Sequence, residues 1–461
     1  MEKLHNNFDE VVTLDQDHFV HPWEGMETAG KYRRTFAEGA EGIYLFDENG
    51  NRFIDAPGGM WCVQLGYGRE DMAEAIAEQA KSVAYFSPFS LSSSPAAILA
   101  GEIAKRTPGD LNNVFFTTGG STAVDTAIRF IHFRNNILGK PNKKIIISRE
   151  NAYHGSTYLA ASVSGKGRDK DWLDQEERLV HFLPTVNPYL REDDQSVEEF
   201  LEEKIADLES AILARGADNV AAFIAEPILA SGGVIVPPEG YHKRCLEICR
   251  KHDVLYISDE VVTGFGRLGH WFASKEVFDI EPDIITCAKG LTSGYLPMGA
   301  CIISDSIYHD VTGEGSKGAT FSNGFTYSGH PVSAAAALKT IEIMEEEKIL
   351  EHTREVAPHF QKRLNDLMKL PLVVDTRGAG LCGCVECSIP GKSEDQLDRD
   401  KEIGGLIDEH CQEMGLIVRP IINMCVFSPP LIITRDQIDE MFDILEEGIR
   451  RTANDLGVHT E

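Results

Sequence analysis

Short apolar runs alternate with helical segments through the middle of the chain. The runs cover residues 114–118, 144–148, 220–225, 254–258, 284–288 and 300–304. Helical spacing covers 122–135, 197–214 and 241–252. Near-continuous apolar strands separated by helices predict a mostly parallel sheet covered on both faces, an α/β architecture. In such sheets ligands bind beyond the C-terminal strand ends. The residues that follow each strand are therefore the first place to look for chemistry.

Composition narrows the classes. With 42% hydrophobic and 25% charged residues, the chain is too apolar for disorder. Its 461 residues suffice for one large core or for two domains. No apolar run of about 18 residues occurs, so no membrane-spanning helix is expected. A balance of 44 Lys+Arg against 73 Asp+Glu, net −29, argues against nucleic acid or an anionic membrane as partner. Met1-Glu2-Lys3-Leu4-His5-Asn6 lacks the apolar core of a secretory signal. Ten scattered cysteines read as free thiols in a reducing cytoplasm. Cys382, Cys384 and Cys387 cluster in an apolar stretch with no His close by, and read as buried strand residues rather than a metal site; no metal is expected.

The flanks follow a different pattern. Residues 43–54 alternate around Asp47-Glu48-Asn49-Gly50, a hairpin signal. An Ala-rich helix is expected over 332–347 and an acidic one over 435–452. Residues 1–70 and 331–461 are therefore predicted to form a smaller α+β domain from both chain ends, around a large domain over 71–330. The polar stretch 164–196, with Gly165, Gly167, Pro184 and Pro188, reads as a surface excursion.

Four strand ends carry chemistry. Asp259-Glu260 follows the run 254–258, and a buried carboxylate pair is costly unless a cation meets it. Lys289 ends the run 284–288, and the spacing allows both residues to face one cleft. Taken alone, they read sooner as a plain ion pair. The run 114–118 leads into Gly119-Gly120-Ser121 and then a helix. Free amides at such a start hold a phosphate, and an ordinary tight turn capped by Ser121 is the alternative. Tyr153-His154-Gly155 follows the run 144–148 and brings an aromatic ring to the same edge, or else a core aromatic. Together these ends supply a phosphate cradle, a ring face, a carboxylate and an amine. Pyridoxal 5'-phosphate needs that set, since its aldehyde forms an imine with an amine and its ring nitrogen needs an acid.

Rival motifs fit less well. Gly264-Phe265-Gly266-Arg267-Leu268-Gly269 matches G-x-G-x-x-G, yet it would set a pyrophosphate beside Asp259 and Glu260. Gly391-Lys392-Ser393 lacks the leading glycine of a P-loop, and no G-x-S-x-G elbow occurs.

The stretch Ser258-Asp259-Glu260-Val261-Val262-Thr263-Gly264-Phe265-Gly266-Arg267, with Ala288-Lys289-Gly290-Leu291-Thr292-Ser293-Gly294-Tyr295-Leu296-Pro297-Met298-Gly299, resembles the class III aminotransferases. These are pyridoxal-phosphate enzymes of fold type I, and the likeness is strongest to the omega-amino acid and amine:pyruvate branch. The resemblance implies that Lys289 binds the cofactor covalently and that Asp259 keeps its ring nitrogen protonated. It implies Val261 on one ring face and Tyr153 on the other, next to His154, with Gly120 and Ser121 at the phosphate. Glu226, in Ala225-Glu226-Pro227, is similar to a glutamate near the cofactor. Thr326, in Gly324-Phe325-Thr326-Tyr327-Ser328, resembles a threonine that reaches the phosphate of a neighbouring subunit, which implies a homodimer or a tetramer of dimers. Arg419 resembles a mobile arginine that pairs with a substrate carboxylate, and Trp61 a pocket-lining tryptophan. The family turn Gly-Ser-Glu-Ala-Asn-Glu reads Gly120-Ser121-Thr122-Ala123-Val124-Asp125 here, losing an acid and an amide.

The implied activity is transfer of an amino group from a primary amine or omega-amino acid (beta-alanine, taurine, a diamine or similar) to a keto acid, with pyruvate giving alanine. An ammonia-lyase or aminomutase on the same fold would use the same lysine and aspartate. Trp61, Phe86, Phe89 and Tyr153 are expected to rim the pocket, with core or dimer-interface positions as the alternative.

Overall fold

The computed structural model describes residues 8–389 and 395–458. The expectations on Met1–Asn6 and on Gly391-Lys392-Ser393 lie outside the described residues.

Seven strands form the central sheet: β1 (Asn113–Thr117), β2 (Ile145–Arg149), β3 (Val180–Leu183), β4 (Val220–Ala225), β5 (Leu255–Asp259), β6 (Ile284–Cys287) and β7 (Gly299–Ile303). Their order is β1-β7-β6-β5-β4-β2-β3. The pairs β2–β3, β2–β4, β4–β5 and β5–β6 are parallel. Only β7 runs against the rest, antiparallel to both β6 and β1. The sheet is thus mostly parallel, as predicted. One feature differs from the sequence reading. The excursion 164–196 contributes the edge strand β3, whose four residues Val-His-Phe-Leu are too short and mixed to stand out. The connection from β5 to β6 carries only a four-residue helix, Ala273–Glu276.

Period-two alternation explains the burial. Ile147, Phe223 and Tyr256 enter one apolar cluster with Leu208 and Cys245, under the helices Val197–Arg215 and Tyr241–Lys251. Their neighbours Ile146, Ala222 and Ile257 enter another with Val124 and Ile128, under the helix Gly120–Ile137. Both faces are covered, so no strand needs a polar side, and the apolar runs follow.

The flanks carry two four-stranded sheets. In one, the hairpin strands Tyr44–Asp47 and Arg52–Asp55 are joined by Leu416–Ile417, which pairs parallel to the latter through Leu416 and Ile54. Far ends of the chain therefore share one sheet. In the other, Val373–Ala379, Cys382–Cys387, Met424–Phe427 and Arg419–Ile421 are antiparallel. Cys382, Cys384 and Cys387 are buried strand residues, and no cluster able to hold a metal ion occurs among the described residues. No described helix is long and apolar enough to cross a membrane.

Candidate active site

Five parallel strand ends converge on one edge. β5 ends at Asp259 and β6 at Cys287, two residues before Lys289. β4 leads into Glu226, β2 into Tyr153 and His154, and β1 into Gly119-Gly120-Ser121. A cavity of about 270 Å3 opens there, and its walls include Lys289, Asp259, His154, Tyr153, Glu226, Val261, Gly120, Ser121, Trp61 and Arg419. Ten of the thirteen residues expected at the site thus share one cavity. Thr326 does not. It is exposed, and its carbonyl accepts a hydrogen bond from the Tyr85 hydroxyl. Phe86 and Phe89 are also absent from the lining, and Phe89 is 87% exposed.

Asp259 is buried and heavily engaged. Its Oδ2 lies 2.7 Å from His154 Nδ1, and its Oδ1 accepts from Thr286 Oγ1 at 3.1 Å and the Val261 amide at 3.2 Å. The other ring nitrogen of buried His154 has no partner among the described residues. Lys289 has no hydrogen-bond or ion-pair partner there either, and its Nζ lies 5.6 Å from the centroid of the Trp61 ring. Burial holds its ammonium below the ordinary value, against the opposing field of Asp259. Lys289 also sits at φ +44°, a left-handed conformation rare for a lysine and typical of functional sites. Glu226 takes the amides of Tyr153 (2.9 Å) and Ala230 (3.2 Å), and burial pushes its carboxyl up.

The turn at Gly120 has little spare space. A Cβ on Gly120 would lie 2.9 Å from Val261 Cγ1, and one on Gly155 2.5 Å from Ser121 Oγ. Ser121 Oγ accepts from the Ser156 amide at 3.0 Å. Thr122, where the family has an acid, donates its hydroxyl to the Gly119 carbonyl and accepts from the Thr118 amide. The departure is thus absorbed inside the turn. Asp125, two positions past Ala123, accepts from the Ala160 amide and ties the helix to the segment after Tyr153.

The opposite wall comes from elsewhere. Gly58, Gly59, Met60 and Trp61 all have positive φ, at +55°, +56°, +74° and +72°. Two non-glycine residues in that region cost about 1–3 kcal/mol each. Asp55 Oδ2 holds the turn by accepting from the Gly59 amide at 2.7 Å and the Tyr67 hydroxyl at 2.5 Å. The turn thereby carries Met60 and Trp61 to the cavity. Sequence reasoning missed Met60, Lys166, Arg168 and Ser231, which also line it. Gly165 was the available signal for Lys166. A Cβ there would come within 1.9 Å of the Arg149 carbonyl, so the segment is pressed against the sheet and is no free excursion.

The family description Aminotransferase class-III matches residues 27–449. The chain is similar to a putrescine–pyruvate aminotransferase of Pseudomonas aeruginosa, 40% identical over 449 residues and 96% of each chain. It is also similar to a chloroplastic gamma aminobutyrate transaminase of Solanum lycopersicum, 36% identical over 90% of this chain and 80% of that one. Among solved structures, the omega transaminase of Pseudomonas jessenii in complex with PMP matches with a TM-score of 0.93 at 32% identity, covering 98% of this chain and 100% of that one.

The residues present fit pyridoxal phosphate. A lysine amine without a partner, an engaged strand-end aspartate and a helix start too tight for any side chain on Gly120 face one space. Site and sequence agree, and the chain belongs to the class III aminotransferases, with pyridoxal phosphate as its cofactor.

Proposed function

We propose that the chain moves an amino group from a primary omega-amine or omega-amino acid to pyruvate, giving alanine, in two half-reactions at one cavity. The observation that carries this reading is the placement of Lys289, Asp259 and Arg419 around the same space. When bound, pyridoxal phosphate supplies an electron sink for negative charge at the substrate carbon.

The chain's own residues do the rest. Gly120 and Ser121 would hold the phosphate, Tyr153 and Val261 the two ring faces, and Asp259 the ring nitrogen. His154 fixes Asp259 through Nδ1 and keeps its carboxylate aimed. Lys289 Nζ is the anchor and also the base that takes the proton from the substrate carbon. Burial lowers the pKa of this amine, which favours the neutral form that a base needs. Arg419 makes no ion pair among the described residues, and burial lowers its guanidinium. It is therefore free to take the keto acid's carboxylate, for which a planar fork is better suited than an ammonium.

We assign Thr326 to the neighbouring subunit's phosphate site in a homodimer or a tetramer of dimers. Its exposure away from its own cavity supports this assignment. A cytoplasmic location belongs to the same reading, supported by ten free thiols.

A panel of amine donors with pyruvate, read as alanine, tests the activity. Alanine from at least one omega-amine is expected. Ammonia released without any acceptor would replace the reading with a lyase or aminomutase.

A further inference from the structure

The charges around the cavity do not cancel. Asp259 faces His154. Glu226 is held by two backbone amides and pushed towards its neutral form. Asp169 pairs with Arg168 at 3.3 Å. Besides Lys289, whose amine is assigned to the cofactor, Lys166 and Arg419 are left as lining cations that have no carboxylate partner among the described residues.

Lys166 is a built part of this wall. Its Nζ donates to Ser231 Oγ at 2.5 Å and lies 5.6 Å from the centroid of the Tyr153 ring. Its backbone is pinned, because the Gly165 amide donates to the Ala152 carbonyl and the Asn151 amide to the Gly165 carbonyl. Those bonds join the 165–166 segment to the loop that carries Tyr153. The ammonium is therefore presented to the substrate side at a fixed place rather than left to sweep through solvent.

Resting on the transamination reading, we infer that Lys166 recognises an anionic group at the far end of the amino donor. The preferred donors are then omega-amino acids rather than diamines. A carboxylate meeting Lys166 gains a charge-assisted hydrogen bond. A second ammonium would instead face Lys166 and Arg419 together, with like charges in a half-dry cleft. The donor class thereby differs from that in the name of the Pseudomonas aeruginosa relative.

The recognition is pH-dependent. Burial lowers Lys166 to about 8, with Arg168 and Arg419 pushing the same way and Asp169 and Glu226 opposing. Below that pH the ammonium is present and anions bind. Above it the charge is lost and the selectivity fades.

Two measurements on the holoenzyme decide the matter. In the donor half-reaction, the ratio of kcat/KM for 4-aminobutanoate to that for butylamine is expected to fall about tenfold or more in Lys166→Met, the size of one charge-assisted contact. In Lys166→Arg it is expected to stay within about threefold. Second, binding of unreactive pentanoate, read by tryptophan fluorescence, is expected to weaken between pH 7 and 9 in the wild type and to lose that step in Lys166→Met. An unchanged ratio, or a step that persists in Lys166→Met, overturns the inference. Should no donor be converted at all, the transamination reading fails, and the pentanoate titration still decides on Lys166.

Discussion

Asp259 and Lys289 stand at the ends of neighbouring parallel strands in the middle of the sheet. Trp61, Lys166 and Arg419 reach the same cavity from three separate segments: a left-handed turn, a pinned loop and a short strand of a flanking sheet. The first pair is set by a ladder of backbone hydrogen bonds and by cores on both faces. The second group depends on single local devices, such as the Asp55 carboxylate or the two backbone bonds at Gly165. Rigid strand ends suit groups whose task is the same for every substrate. Separate loops let the wall vary without disturbing those groups. Damage to the floor should therefore abolish chemistry for all donors, whereas damage to the wall should sort donors from one another.

The largest expected effect lies on the floor. Lys289→Ala removes both the anchor and the base, so steady-state alanine formation should fall by about 10^4-fold or more with every donor. The visible absorption of the lysine-bound cofactor should vanish with it. Turnover retained within tenfold of the wild type would show that another group moves the proton.

An intermediate effect is expected at Arg419. Arg419→Ala removes a fork that pairs with a carboxylate, worth about 1.5–3 kcal/mol or roughly 10- to 150-fold. The pyruvate half-reaction should slow by that factor, and the half-reaction of a carboxylate-free amine by much less. Stopped-flow spectra of each half in isolation make the measurement. Equal losses in both would move Arg419 from the substrate to the frame of the site.

The same contrast explains what could be read from sequence. The runs that became β5 and β6 are apolar at nearly every position, because both faces of the sheet are covered, and so their ends announced Asp259 and Lys289, whereas Glu226 at the end of β4 came only from the family resemblance. The Gly119-Gly120-Ser121 turn was legible because its glycines and the helix after it form a local signal. The wall left no such local trace, and Trp61 and Arg419 were placed there through the family resemblance alone. Lys166 sits in a polar stretch whose composition resembles any surface loop, and only the close approach of Gly165 to the Arg149 carbonyl brings it inward. Met60 and Trp61 follow two glycines that look like a plain turn. The left-handed run and its Asp55 clamp come from contacts between distant residues, which no local pattern encodes. Phe86 and Phe89 do not line their own chain's cavity, and the exposure of Phe89 sets aside the core role and keeps the alternative of an interface.

The smallest expected effect tests whether the wall is held by its clamp. Tyr67 does not line the cavity, but its hydroxyl donates to Asp55 Oδ2, which in turn fixes the Gly59 amide and the turn bearing Trp61. Tyr67→Phe removes one bond to a buried carboxylate, a loss of about 1–3 kcal/mol. Burial already holds Asp55 above the ordinary carboxylate pKa, and the Tyr67 bond opposes that rise. A raised folded-state pKa contributes stability in acid, and that contribution is lost as pH rises through the folded pKa. Without Tyr67 the pKa rises further, so the variant should match the wild type at acid pH and fall behind it towards neutrality. If the clamp also positions Trp61, KM for a bulky donor should change about threefold while kcat for a small donor holds. Thermal unfolding against pH and the KM–kcat split separate the two roles. A stability loss that leaves every KM unmoved would mean that the left-handed turn is held by its packing against Ser428 and not by Asp55.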